Sequence, residues 1–294
     1  MDKDSRRIYD KLVLKAGDLL PLPITIHELI KITNNPNVSS RDIGKVIEKD
    51  QAMTSRVLRL ANSVYYGFTQ RIRTISHAIV CLGFSKVKSL ALTVSTYEIL
   101  NAALEKYAMK EGALFNHSIA VAIGASTIAE KTGIKDTEEA YVIGLLHDIG
   151  KMVIDQNLHK DEVTPVWELY KQGTMKFHQA EKEVLGFDHA DVGSEVARRW
   201  NFPNELCNAI GYHHSPLSAP GDIRTAYIVN LADGLAKTMI DCKGMSEEQD
   251  VSLEIEGIFK EKNLEKLGLV KEKVLDIRNI IAQKVEKVLA EFKN

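Results

Sequence analysis

The stretch Ala140–Met152, AYVIGLLHDIGKM, joins an apolar helix to side chains that a folded interior does not otherwise choose. Tyr141, Val142, Leu145 and Leu146 give the near-continuous hydrophobicity of a helix buried on most sides. His147, Asp148 and Lys151 follow at once. An imidazole, a carboxylate and an ammonium at the end of a buried helix each need a partner, because an isolated buried charge is strongly destabilising. A divalent metal is the simplest partner for the first two.

Working outward, apolar residues recur three and four apart and no segment reads as a strand, so the expected fold is all-α. On the N-terminal side, helices are expected over 5–20, Thr25–Thr33, a segment capped by Ser39 or Ser40, Gln51–Ser63, Thr74–Leu82 and Lys86–Leu104, with LPLP at 20–23 extended. A helix carrying Leu114, His117, Ile119, Val121 and Ile128 ends at Gly133, and Asp136–Gly150 follows. Further helices fit 161–171, 175–185, 188–200, 204–213 and Asp222–Ile240. Beyond Asp241 the chain turns charged, then Val274, Ile277, Ile281, Val285 and Val288 mark a last helix that packs on its own domain or on a partner. The expected organisation is a helical N-terminal half over 1–110, a helix bundle over 111–240 and a helical extension over 241–294.

Composition narrows the function. The 38 basic and 40 acidic residues nearly cancel and no long Lys/Arg run is present, which argues against nucleic acid as a partner. Cys81, Cys207 and Cys242 have no CxxC spacing and read as reduced thiols. The first residues, MDKDSRRIYDKLV, lack a signal-peptide core, and no run approaches the roughly 18 apolar residues of a membrane helix. A soluble, cytoplasmic protein with no membrane contact is expected.

An HD pair alone is a weak signal, and its neighbours strengthen it. His117 lies in the middle of the preceding helix, His213 and His214 stand together at a helix end before Pro216, and Asp233 sits inside the apolar AYIVNLADGLA. Taken singly, Asp233 could be satisfied by an Arg or a backbone donor, His117 could be a core histidine and the His pair could be a loop. Together they favour a shared metal site. Imidazole and carboxylate suit Fe, Mn, Zn or Co, and Asp148 could bridge two ions. Such a pair would activate a water toward phosphorus, with Lys151 neutralising phosphate charge; a dipole contact at a helix end is the other role open to Lys151.

GLLHDIGK, with His117 before it and Asp233 after it, resembles the HD superfamily of metal-dependent phosphohydrolases, whose pattern is H, HD, D. LPLPITIHELIKI, IEKDQAMTSRVLRLANSVYYG and IRTISHAIVCLGFSKVKSLAL resemble the N-terminal part of the HDOD domain, the HD-related output domain of bacterial signalling proteins. Both together cover roughly residues 15–240. DHADVGSEVARRW at 188–200 and AIGYHHSP at 209–216 are similar to segments that give HD-GYP phosphodiesterases their extra histidines. The resemblance implies one metal on His117, His147, Asp148 and Asp233, and a second on Asp148, His189, His213 and His214. No GYP element follows His214, where the chain reads SPLSAPGDIRTAYI.

The expected function is a bacterial signalling protein that holds one or two divalent ions and acts through a protein partner or a nucleotide-type ligand. A working phosphohydrolase, with Asp148 and Lys151 as the catalytic pair, is the alternative. His27 and His77 read as packing or capping residues, His159 and His178 as solvent-facing, and Asp191 as a group that orients His189 or lies on a solvated face. The loop Asn62–Arg73, NSVYYGFTQRIR, offers aromatics and arginines to a partner, or packs Tyr65, Tyr66 and Phe68 into the core.

Overall fold

A computed structural model describes residues 3–19, 28–30, 39–239 and 264–292. Among the described residues there are fourteen α-helices and no strand: α1 Lys3–Leu19, α2 Ser40–Glu48, α3 Gln51–Ala61, α4 Ile75–Leu82, α5 Phe84–Asn101, α6 Ala113–Lys131, α7 Thr137–Leu146, α8 Ile149–Asn157, α9 Lys160–Tyr170, α10 Phe177–Leu185, α11 His189–Arg199, α12 Asn204–Gly211, α13 Ile223–Lys237 and α14 Lys271–Ala290. The all-α expectation holds. Most of the expected helix at Thr25–Thr33, the LPLP stretch, His27 and the charged segment with Cys242 lie outside the described residues.

Helix starts follow short polar side chains. Ser39 and Asp42 form a reciprocal capping box on α2, while Asp50, Thr74 and Asp136 accept from the third backbone N–H of α3, α4 and α7. Two boundaries differ from the sequence reading. The long helix expected to reach Leu104 stops at Asn101, and an isolated bridge between Leu104 and Met109 turns Tyr107 into the core. The segment expected as one helix to Gly150 breaks at His147–Asp148 and continues as α8. Lys151 is therefore in the first turn of a second helix, not at the end of the first.

α6 is the axis of the molecule. It packs against α7, α13 and α14, and its buried face runs from Leu114 to Ala129 with His117 inside it. The crossing with α7 is close because Gly144 has no Cβ; one placed there would lie 2.8 Å from the Ala122 Cα. On the other side α8 and α11 cross closely, α12 lies against α11, and α1 covers both α8 and α11. α14 buries Val274, Ile277, Ile281, Val285 and Val288, so the last helix packs on its own chain. One hydrophobic core runs through residues from Leu12 to Val288.

Candidate metal centre

Four helix ends and two helix interiors aim seven polar side chains at one point. His117 projects from the second turn of α6 and Asp233 from the interior of α13, both apolar helices. His147 and Asp148 occupy the break between α7 and α8, His189 opens α11, and His213 and His214 follow α12. Their ligand atoms form three overlapping groups: His117, His147 and Asp148; His147, His213 and Asp233; and His189, His213 and His214. Within each group the atoms lie no more than 4.8 Å apart. All seven residues named from the sequence are brought together. His214 is half-buried and the other six are buried.

The imidazole tautomers are set by their outer partners. His147 Nδ1 lies 2.7 Å from Gly144 O and His213 Nδ1 lies 2.7 Å from Ile210 O. A carbonyl only accepts, so in the neutral rings Nδ1 carries the hydrogen and Nε2 presents a lone pair to the centre. Among the described residues both of those Nε2 atoms are buried without a hydrogen-bond partner, as are His117 Nε2 and Asp233 Oδ1. The last two are 3.0 Å apart, yet the ring N–H direction does not meet the oxygen. Buried polar atoms left orphaned and convergent are rare, and cations held among them would satisfy them. The nitrogen and carboxylate donors fit Fe, Mn, Zn or Co.

Asp148 serves both halves. Its Oδ1 lies 3.1 Å from His189 Nε2 and 3.9 Å from His213 Nε2; its Oδ2 lies 3.3 Å from His147 Nε2, 3.7 Å from His117 Nε2 and 2.9 Å from Lys151 Nζ. Burial alone would raise this carboxyl, but His147 and then Lys151 hold it well below the usual range. Lys151 is buried, paired with Asp148 and in the first turn of α8, the positive end of that helix, so the dipole contact open to it in the sequence does not apply. Asp233 is also held low: burial opposes the charge and Lys237, 3.1 Å away, outweighs it together with His117. Burial, followed by His147, pushes His213 down to about 3, and burial, followed by His178, pushes His214 well below its ordinary value.

Three residues missed in the sequence complete the site. Glu181 Oε2 lies 2.5 Å from His189 Nδ1, and Glu181 Oε1 accepts a 2.5 Å hydrogen bond from the Tyr107 hydroxyl. Burial would lower His189, but the Glu181 carboxylate raises it to about 10. Asp191, for which orienting His189 or lying on a solvated face were both open, closes the α11 capping box with Asp188 and pairs with Lys182. His178 is not solvent-facing: it is half-buried and stacked on His214, with ring centroids 3.9 Å apart. Burial, then the charge of His189, pushes it down to about 2. His159 and His77 are exposed; the His77 backbone N–H is taken by Thr74.

Glu181 was visible in one respect. Phe177, Ala180, Glu181 and Leu185 share the buried stripe of α10, and a carboxylate on such a stripe needs a partner. Glu181→Ala is expected to weaken Mn²⁺ binding by about 10–100-fold without changing the number of ions at saturation, as outer partners of histidine ligands generally do. Titration calorimetry on the metal-free protein checks this. Tyr107→Phe, which removes only the far hydroxyl, is expected to weaken binding less.

Comparison with known proteins matches this architecture. An uncharacterized protein of Treponema pallidum (strain Nichols) is 26% identical over 211 residues, covering 71% of this chain and 40% of its own length. Ribonuclease Y of Thermus thermophilus is 32% identical over 123 residues, 42% of this chain and 16% of the enzyme. The chain thus spans less than half the length of these relatives. A solved HDOD domain protein of unknown function from Geobacter sulfurreducens superposes with a TM-score of 0.68 at 23% identity, covering 96% of this chain and 99% of that one. The HDOD domain model matches residues 19–216, a span that takes in the N-terminal helices and all the centre's side chains except Asp233, and so the chain belongs to the HDOD domain family.

Proposed function

We propose that this protein is a signal-transduction module whose seven-residue centre holds one or two divalent ions as part of its folded architecture, and that it acts by binding a partner or ligand. One observation carries this reading over hydrolysis: the ligand atoms are sealed. The His117, His147 and His213 side chains are 0% exposed and that of Asp148 is 3% exposed. His214, the outermost ligand, is covered on one face by His178. A hydrolase needs a coordination position open to water and substrate.

The second reading, a metal-dependent phosphohydrolase, is supported by Asp148 and Lys151 standing together at the centre. A divalent ion bound there would supply Lewis acidity and activate water. The protein's own part would be to hold the Nε2 atoms of His147 and His213 toward the ion, and to keep Asp148 ionised with Lys151 beside it. The ribonuclease Y likeness is a reason to include RNA in the test, although the balanced charge of the chain lacks the excess of cations that a phosphate backbone attracts.

Metal analysis of the purified protein and a hydrolysis panel separate the two. The panel comprises cyclic dinucleotides, an RNA oligonucleotide and a generic aryl phosphodiester, each with Mn²⁺ and with Fe²⁺. Bound metal with no turnover is the expected result. Metal-dependent turnover that disappears in Lys151→Ala would establish the hydrolase instead.

A further inference from the structure

α3, the 62–73 loop and the end of α14 enclose an open groove of about 900 Å³, lined by none of the seven residues just described. Ser55, Leu58 and Arg59 line it from α3, Phe68, Thr69, Arg71 and Arg73 from the loop, and Glu291 from the chain just after α14. Three guanidiniums therefore face one carboxylate. We propose that this groove binds a phosphate-bearing small molecule of nucleotide size, with Arg71 and Arg73, aided by Arg59, taking the phosphate and Phe68 the base.

The two loop arginines are rigidly presented. Asn62 donates through Nδ2 to both Leu58 O and Ile72 O, at 2.7 and 2.8 Å, and its Oδ1 accepts from Ile72 N at 2.7 Å. Ile72 is buried between exposed Arg71 and Arg73, so burial alternates along the segment and both arginines lie on its outer side. Among the described residues neither has an ion-pair partner. A planar guanidinium fork matches phosphate oxygens two at a time, and a clamped backbone leaves less entropy to lose on binding.

The loop aromatics divide by role. Tyr65 and Tyr66 are half-buried, edge-to-face at 4.6 Å, and belong to the core packing expected of them. Phe68 does not; it is 41% exposed and lines the groove, where a stacked base would cover its open face. The volume lies in the range of small-molecule sites, about 300–1,000 Å³, whereas a protein partner needs a broad surface of about 800 Å². Glu291 repels a uniformly acidic peptide, and it accepts hydrogen bonds from the N–H groups of a base.

The proposal does not depend on ions in the centre, so its test is run on the intact chain with EDTA present. Titration calorimetry uses ADP, GDP, pyrophosphate, and the uncharged nucleosides adenosine and guanosine. At least one nucleotide is expected to bind, more weakly as salt is raised, and the nucleosides are not. Arg71→Ala/Arg73→Ala is expected to weaken nucleotide binding at least about tenfold, given the strength of charged hydrogen bonds. Phe68→Ala is expected to weaken it about tenfold while leaving pyrophosphate unchanged. All three side chains are exposed, so circular dichroism and the melting temperature should stay at wild-type values. Silence of every phosphorylated probe to millimolar concentration, or wild-type affinity in the double arginine variant, overturns the proposal. So does a phosphopeptide that binds where the nucleotides do not.

Discussion

Asp148→Ala is expected to reduce the metal content of protein equilibrated with Mn²⁺ or Fe²⁺ to near zero, whereas His214→Ala removes at most one ion. The asymmetry follows from where the two carboxylate oxygens point. Oδ1 faces His189 and His213, and Oδ2 faces His147 and His117, so one side chain belongs to both halves of the centre. His214 Nε2 lies 2.9 Å from His189 Nε2 and reaches only one half. Removing Asp148 also takes from Lys151, which is 2% exposed, the carboxylate it is bonded to at 2.9 Å. Breaking a buried pair by deleting one partner costs about 3–5 kcal/mol, so part of the effect will be a lower melting temperature. Asp148→Ala/Lys151→Met removes the buried ammonium together with its carboxylate and should recover part of that stability while remaining metal-free. Equal metal content in wild type and in both Asp148 variants would rule out a shared carboxylate, and with it the two-ion arrangement.

The contrast between Asp148 and Glu181 shows where reading the chain reaches its limit. His117, the HD pair, the HH pair and Asp233 stand out because polar groups interrupt apolar helices, which is a property of each local stretch. Glu181 and Tyr107 are separated by 74 positions, and their hydrogen bond exists only because the Leu104–Met109 turn meets α10 in space. The same holds for His178, whose sequence neighbours are polar enough to suggest a surface while its ring lies on His214. The break at His147–Asp148 is hidden for another reason. The residues after it, IGKMVI, continue a helical apolar pattern with no proline to stop it, so periodicity alone runs one helix into the next. That break is what turns His147 and Asp148 toward different neighbours. The starts of α2, α3 and α4 rest on local side-chain caps at Ser39, Asp50 and Thr74, of which only the first was named from the sequence.

Gly150→Ala tests whether the centre is held by the fold beneath it. A Cβ at Gly150 would lie 2.0 Å from the His189 carbonyl oxygen and 2.7 Å from the Gly193 nitrogen, both backbone atoms that cannot rotate away. α8 and α11 would have to separate by more than about 1 Å, and overpacking of this kind costs about 3 kcal/mol or more. At about 2–4 °C per kcal/mol for a chain of this size, the melting temperature should fall by roughly 6 °C or further. Metal affinity should fall with it, because His189 rides on α11 and Asp148 immediately precedes α8, and the 3.1 Å approach of their side chains is set by that crossing. Gly44→Ala is the matched control. It lies inside α2, and its added Cβ would meet only the ends of Ile75 and Ile79 at 3.9 Å. Without a clash, the helix preference of Ala over Gly should stabilise the protein by about 0.5–1 kcal/mol and leave metal binding unchanged. Thermal melts and Mn²⁺ titrations of the two variants side by side decide the matter. If Gly150→Ala melts and binds like Gly44→Ala, the close crossing is not what positions His189, and the centre's geometry must come from the ions rather than from the helices.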